Sequence, residues 1–457
     1  MRNERKGIMK ILFIAIDTLR ADHLSSYGYK FETSPNIDSL ADEGVIFFNA
    51  FANGIPTTPG FTTIFTGLHS INHRIVSHGG DETIDNSIPL LPEILRDNGY
   101  RTCAVDNLFN IKPYFGRGYE YYINPKSKNL HHIRAEEINF EAIRWIREHH
   151  KEDFFLFLHY WDCHTPYLPP EEYWSIFYKG EDPFDPDNHS MDPAKDQIPY
   201  PFFKKWHYDL LGNPTDANYI IAHYDGAIKY VDSAVGEILD VLKQFGIYDE
   251  TLVILTADHG ENMTEHNFFF DHQGLYEPTI HIPLIIRIGD RFPSRKIDSI
   301  VQHIDILPTL LDVLDITVDS KFDGKSLLPL IKGETDRLHR EVVSTECTWR
   351  AGISIRTEDW KLIKTIDQGL YSTPPKELFN LREDPKEEVN LYDREEDIRD
   401  EFELRLTRWL EDRLGNRPDP IRLQAVKGLP AKKWVERTLK DMHIDWDEWV
   451  TKRQRFI

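Results

Sequence analysis

Three acidic residues stand where apolar runs end. Asp17 directly follows the run ILFIAI from Ile11, Asp162 follows FFLFLHYW from Phe154, and Asp258-His259-Gly260 follows TLVILTA from Thr251. A charged side chain that closes a buried strand must be solvated, paired or bound to a cation. Taken singly, each such Asp reads as a helix cap or a surface turn. In open α/β sheets, however, ligands bind beyond the carboxyl ends of the strands, and three acids at equivalent ends favour one shared site. Asp17, Asp258 and His259 supply two carboxylates and an imidazole. That donor set is hard to borderline and suits Mn²⁺, Zn²⁺ or Mg²⁺.

A second stretch able to do chemistry is Gly54-Ile-Pro-Thr-Thr-Pro-Gly-Phe-Thr-Thr-Ile-Phe-Thr-Gly67. Thr57 and Thr58 precede Pro59, which belongs in the first turn of a helix. A hydroxyl there faces the positive end of the helix dipole, which favours its alkoxide and an anion bound beside it. A cation in contact would lower the hydroxyl pKa further. The plain alternative is that either threonine only caps the helix.

These groups need strand ends to hold them, and the chain provides them. The runs ILFIAI, YRTCAV (from Tyr100), FFLFLHYW, TLVILTA and IPLIIRI (from Ile282) are unbroken enough to be strands buried on both faces. Helix-patterned stretches alternate with them over about the first 315 residues, which predicts an α/β fold: a large, mainly parallel sheet between helices. Ser34-Pro35 begins one helix that Gly44 closes; another spans 217–245, with Gly246 after it. Residues 171–214 are rich in Pro, Asp and aromatics and too long for an ordinary connection; we read them as an insertion over the mouth of the site. From His339 the texture changes to short strands and turns, VVSTECTW, DWKLIKTI and KELFNL, which predict a small antiparallel sheet. The expected division is therefore a catalytic α/β domain over 1–338, a small β subdomain over 339–395 and a helical tail over 396–457. In that tail Trp409, Trp434, Trp446 and Trp449 are anchors for docking or for self-association into a homo-oligomer.

Composition narrows the partners. The 54 basic residues face 76 acidic ones, a formal charge of -22. Such a surface repels phosphate backbones and anionic lipid, so neither nucleic acid nor membrane is an expected partner. A small anionic ester would need a local cation to approach, which a metal site supplies. Cys103, Cys163 and Cys347 are sparse and lack C-x-x-C pairing, and read as small buried residues. The six apolar residues Ile11 to Ile16 are too short for a signal segment or a span, so the expected location is cytoplasmic.

The same residues carry a resemblance. Asp17-Thr-Leu-Arg-Ala-Asp-His-Leu, Ser34-Pro-Asn-Ile-Asp-Ser-Leu-Ala and Thr57-Thr-Pro-Gly-Phe-Thr-Thr-Ile-Phe-Thr-Gly67 resemble the opening of the sulfatase family, within the alkaline phosphatase superfamily. Thr256-Ala-Asp-His-Gly-Glu261 with Gly274-Leu-Tyr-Glu-Pro resembles its second metal-site block, and Glu377-Leu-Phe-Asn-Leu with Asp384-Pro its closing motif. The resemblance runs in order from Lys10 to Tyr392. It implies that Asp17, Asp258 and His259 ligate a divalent cation, that Thr57 holds the nucleophile position on that cation, and that His164 contacts substrate or protonates the leaving group. His272 lies near where many members place a substrate-binding lysine, and Asn107 takes the place of another lysine.

The departures shape the expected activity. Family members begin the nucleophile helix with Cys or Ser, followed by x-Pro-Ser-Arg, and the first residue is oxidised to formylglycine. Here the positions read Thr57, Thr58, Pro59, Gly60 and Phe61. Threonine is no formylglycine precursor, and the arginine is absent. Thr18 replaces an Asp, and His259 an Asn, of many calcium members. Both changes favour Mn²⁺ or Zn²⁺ over Ca²⁺, with Mg²⁺ and Ca²⁺ still admitted. Asp162, His164 and His272 are an alternative second metal site; otherwise His164 and His272 act as free acids and hydrogen-bond donors. His303 and Asp305 read as helix caps and braces. The expected activity is hydrolysis of sulfuric- or phosphoric-type esters, with phosphate or phosphonate esters and diesters favoured. Its rivals are a sulfatase with an unconventional nucleophile, a catalytically silent metal-binding homologue and a phosphoryl-group transferase.

Overall fold

The computed structural model describes residues 10–125, 133–289 and 291–453. Its strands are β1 (Lys10–Ile16), β2 (Val45–Phe51), β3 (Gly54–Ile55), β4 (Arg101–Val105), β5 (Tyr121–Ile123), β6 (Phe154–Tyr160), β7 (Thr251–Thr256), β8 (His281–Ile288), β9 (Arg295–Gln302), β10 (Val342–Cys347), β11 (Ala351–Arg356), β12 (Trp360–Asp367) and β13 (Lys376–Asn380). Eight form one sheet in the order β5-β4-β6-β1-β7-β8-β2-β9. Among its described strands β8 alone runs against the rest. The central strands β1, β6 and β7 are buried along their whole length. That is why their sequences read as continuous apolar runs rather than as an alternation.

The register at the centre brings the acids together. Ala15 lies opposite Thr256 in the parallel β1–β7 pair. Two residues further along each chain stand Asp17 and Asp258. The Asp17 amide donates to the Tyr160 carbonyl at 2.9 Å, which carries the β1–β6 ladder one step past the strand end.

The other strands form a sheet of order β13-β12-β11-β10-β3. Its C-terminal members pair antiparallel. The short β3, from the chain just before Thr57, pairs parallel with β10. The small sheet thus takes one strand from the N-terminal part and holds the entry to the helix that Thr57 opens. The tail folds as helices Glu396–Leu414, Pro420–Lys427, Pro430–Asp441 and Trp446–Arg453. Three of its tryptophans make contacts to other parts of the chain: Trp409 against His69, Trp434 against Trp349, and Trp449 donating to the Ile198 carbonyl at 3.0 Å. Residues 171–214 are packed rather than loose. Trp174 stacks on His223 of the long helix Ala217–Gln244, and Phe203 stacks on Trp349. Among the described residues no helix is long and apolar enough to cross a membrane.

His303 braces this frame. Its Nε2 donates to the Ala257 carbonyl at 2.8 Å, immediately before Asp258. Burial lowers its pKa to about 4, although the Ala257 bond opposes the shift. The unfolded chain protonates an ordinary histidine near 6.5 and so binds more protons between those values. The stabilisation is therefore complete above about pH 6.5 and is lost as pH falls toward 4. This one group is worth about 3 kcal/mol over that range. Urea midpoints measured from pH 7 to 4.5 should fall with acid, and His303→Gln should flatten the slope by about one proton.

Candidate metal and ester site

Asp17, Asp258 and His259 lie at the carboxyl ends of β1 and β7, fully buried, and their ligand atoms fall within 4.8 Å of one another. The turn between β7 and His259 is tied by the Asp258 carboxylate, which accepts from the amides of Thr18 at 3.3 Å and His259 at 3.0 Å. His259 directs its Nδ1 to the Gly260 carbonyl at 2.9 Å, which leaves Nε2 as the lone pair facing the acids. Burial, and then the neighbouring His272, hold its pKa well below the ordinary histidine value, so the ring is neutral and a ready ligand.

The carboxylates carry an electrostatic conflict that a cation resolves. Burial pushes Asp17 up, but His159, His164 and His259 around it bring it well below the usual carboxylate range. Burial and then the charge of Asp17 push Asp258 well above that range. Among the described residues Asp17 Oδ1 is buried with no polar partner, while Asp17 Oδ2 faces His159 Nε2 at 3.2 Å and Asp258 Oδ2 faces His259 Nε2 at 3.3 Å. Buried acceptors of this kind are costly unless something binds them. Two carboxylates and a neutral imidazole, with Asp17 Oδ1 left unpartnered among the described residues, fit a divalent cation.

Thr57 opens the helix Thr57–Thr66, every residue of which is buried. Its Oγ1 lies 3.4 Å from His259 Nε2, beside the same cluster and at the positive end of the helix. The approach depends on Gly60. A Cβ there would stand 3.0 Å from the Asp258 carbonyl oxygen and 3.3 Å from its Cβ. Gly60→Val should therefore lift the helix off the Asp258 turn, lowering stability by about 1–3 kcal/mol and separating Thr57 from the ligands; calorimetry and turnover of the variant check both effects.

His164, His259 and His272 sit side by side, with ring centroids 4.9 Å apart for His259–His272 and 5.1 Å for His164–His272. His164 is oriented by Nδ1 meeting the Thr165 carbonyl at 2.6 Å. His272 Nδ1 lies 3.7 Å from Glu261 Oε1. Burial raises Glu261 to about 8, against the pull of His164 and the Tyr167 hydroxyl.

Asp162 departs from the sequence expectation. Its carboxylate accepts from the Ala135 amide at 3.4 Å, at the first turn of the helix Ala135–His149. It does not join the cluster, so the second metal site built on Asp162 with His164 and His272 is not assembled among the described residues. Thr18 is committed elsewhere, with its hydroxyl donating to the Cys163 carbonyl. Asn107 is buried just beyond β4, one residue after Asp106.

Three residues at the site were not picked out from sequence. His159, inside β6, bridges Asp17 Oδ2 at 3.2 Å and Asp106 Oδ1 at 2.8 Å. Burial lowers its pKa, but Asp106 and Asp17 outweigh that and raise it to about 9, which favours its charged form behind Asp17. His78 places Nδ1 2.8 Å from the Thr58 hydroxyl.

Two buried carboxylates and an imidazole at the strand ends, beside a hydroxyl at a helix N-terminus, are set in a sulfatase- or alkaline phosphatase-like α/β fold. The family model described as Sulfatase matches residues 10–316, and one described as N-sulphoglucosamine sulphohydrolase, C-terminal, matches 264–412. The chain belongs to the sulfatase family, a family of ester hydrolases. Arylsulfatase K of Bos taurus is 24% identical over 401 residues, covering 78% of this chain and 73% of its own. The crystal structure of phosphonate monoester hydrolase of Agrobacterium radiobacter superposes with a TM-score of 0.72 at 23% identity, covering 89% of this chain and 96% of that one. The structure of BT4656 in complex with its substrate D-glucosamine-2-N,6-O-disulfate gives 0.72 at 20% identity, covering 90% and 99%.

Proposed function

We propose that this chain hydrolyses phosphate or phosphonate esters, diesters included, with Thr57 as nucleophile and a divalent cation held by Asp17, Asp258, His259 and Thr57. The carrying observation is the Thr57 hydroxyl, 3.4 Å from His259 Nε2 at the buried N-terminus of its helix. When bound, the cation lowers the pKa of a hydroxyl beside it and offsets negative charge on the ester oxygens; Mn²⁺ or Zn²⁺ suits the donors best.

Thr57 Oγ, its proton released to solvent, attacks phosphorus in line, and the P–O bond to the leaving group breaks. The departing oxygen takes a proton from His164 or His272, the imidazoles beside the cluster, and solvent returns a proton to that ring in each cycle. Water then attacks phosphorus, the P–O bond to Thr57 breaks, and the threonine hydroxyl is restored. Attack at the central atom in both steps suits a phosphoryl-threonine. A sulfated threonine has no geminal hydroxyl and cannot shed sulfate by C–O cleavage. Asn107 stands where a cation is expected and Phe61 where an arginine is, and fewer cations around the anion favour a diester over a doubly charged monoester.

Sulfuric ester hydrolysis is the second reading. The names of Arylsulfatase K and the disulfated substrate of BT4656 favour it, as the phosphonate monoester hydrolase favours the first. A panel of 4-nitrophenyl sulfate, phosphate, methylphosphonate and bis-ester, with each of Mn²⁺, Zn²⁺, Mg²⁺ and Ca²⁺, decides between them. Higher kcat/KM on the phosphorus esters supports the proposal, and a preference for the sulfate reverses it.

A further inference from the structure

Asp17 is held from behind by a chain of buried groups. His159, inside β6, faces Asp17 Oδ2 with Nε2 at 3.2 Å, while its Nδ1 meets Asp106 Oδ1 at 2.8 Å. Asp106 is fixed in turn. Its Oδ2 accepts from the Tyr122 hydroxyl at 2.6 Å and from the Leu108 amide at 2.9 Å. Two rings hold the imidazole, Trp161 at 4.4 Å and Phe61 edge-on at 4.6 Å between centroids. Phe61 stands where the family pattern has arginine, and here it supports an imidazole from the neighbouring strand instead.

The consequence lies in which oxygens stay free. Asp17 Oδ2 is taken by His159, and Oδ1 is left without a polar partner among the described residues. Asp258 is treated alike: its Oδ1 accepts from the amides of Thr18 at 3.3 Å and His259 at 3.0 Å, and its Oδ2 faces His259 Nε2 at 3.3 Å. Each carboxylate therefore offers one oxygen, and the third donor is a nitrogen. Ca²⁺ takes about six to eight oxygens, often both of one carboxylate, whereas Mn²⁺ and Zn²⁺ accept nitrogen readily.

We infer that His159, oriented by Asp106 and Tyr122, is a positioning residue that limits Asp17 to one ligand oxygen and thereby sets the centre against Ca²⁺. The inference rests on the reading of Asp17, Asp258 and His259 as metal ligands. It concerns discrimination between ions, not their shared charge. Whatever the ring does to one double positive charge nearby it does to every divalent ion, and only a freed oxygen tells them apart.

The test is binding of metal alone to the full chain, by calorimetric titration with Mn²⁺ and, separately, with Ca²⁺. His159→Phe keeps a ring between Phe61 and Trp161 but offers Asp17 no N–H. In that variant the ratio of the Ca²⁺ to the Mn²⁺ dissociation constant should fall about tenfold or more. His159→Gln, whose amide can still donate to Oδ2, should hold the wild-type ratio. The double variant His159→Phe/Asp106→Asn leaves no buried carboxylate charge facing an apolar ring. It should show the same fall, and it stands in if thermal melting finds the single variant unfolded. Equal weakening of both ions in the Phe variants, or the same fall in His159→Gln, overturns the inference and leaves the ligand reading intact. A wild-type chain that binds neither ion overturns that reading and the inference with it.

Discussion

Thr57→Ala is expected to abolish turnover, by about 10³- to 10⁶-fold in kcat, the scale on which nucleophile deletions act. The loss should appear in kcat rather than KM. The hydroxyl forms the bond to the central atom, whereas the remaining ligands and imidazoles still gather the anion. Binding of the cation should weaken far less than turnover, because Asp17, Asp258 and His259 keep their positions at the ends of β1 and β7. Thr57→Ser should recover part of the rate, since it restores the oxygen but not the methyl group that restricts its rotamer. Thr58→Ala makes a contrast. Its hydroxyl meets His78, not His259, and its loss should cost at most about tenfold. Titration of the variants with Mn²⁺ and steady-state kinetics on the preferred ester separate these outcomes.

The second large effect concerns the carboxylate pair. Asp258→Asn should cost the cation affinity about a hundredfold or more, while stability without the cation changes by less than about 1 kcal/mol. The asymmetry follows from the buried pair. Burial and the charge of Asp17 already hold Asp258 well above the usual carboxylate range, so without a cation it keeps its proton and a neutral amide replaces a neutral acid. With the cation at 100 times the dissociation constant, the wild type gains about 2.7 kcal/mol by linkage, and the variant should lose nearly all of that gain. Thermal melts with and without Mn²⁺ check this. A variant that melts far below wild type without the cation would show that Asp258 is ionised and paired in some other way.

Much of this site could be read from local sequence because a strand end announces itself locally. Asp17 and Asp258 each follow an unbroken apolar run, and a parallel register needs no further information to bring two such ends level. The place of Thr57 was legible for a similar reason: Pro59 marks the first turn of its helix. The same signal misdirected the reading of Asp162, which also ends an apolar run but meets the amide end of the helix Ala135–His149. A strand-end acid can serve either a cation or a helix start, and only the packing decides. Asp106 carried that signal too, directly after YRTCAV, but its worth depends on His159 across the β4–β6 pair. His159 itself was hidden in an apolar strand, since one polar residue there means little until its partners on neighbouring strands are known. His78 has no local signature at all; it lies in a loop, and the fold alone brings it to Thr58. Of the strands, β9 was missed because it is an edge strand with an exposed start.

The most direct test of the central claim is capture of the covalent intermediate. The wild-type chain would be mixed with excess phosphodiester or phosphonate ester and Mn²⁺, quenched in acid within the first turnover, digested and analysed by mass spectrometry. The proposed mechanism predicts a phosphoryl or phosphonyl group on Thr57, in the peptide spanning Gly54 to Gly67, formed in a burst and lost as product appears. An unlabelled Thr57 during rapid turnover, or the label on another residue, would contradict it.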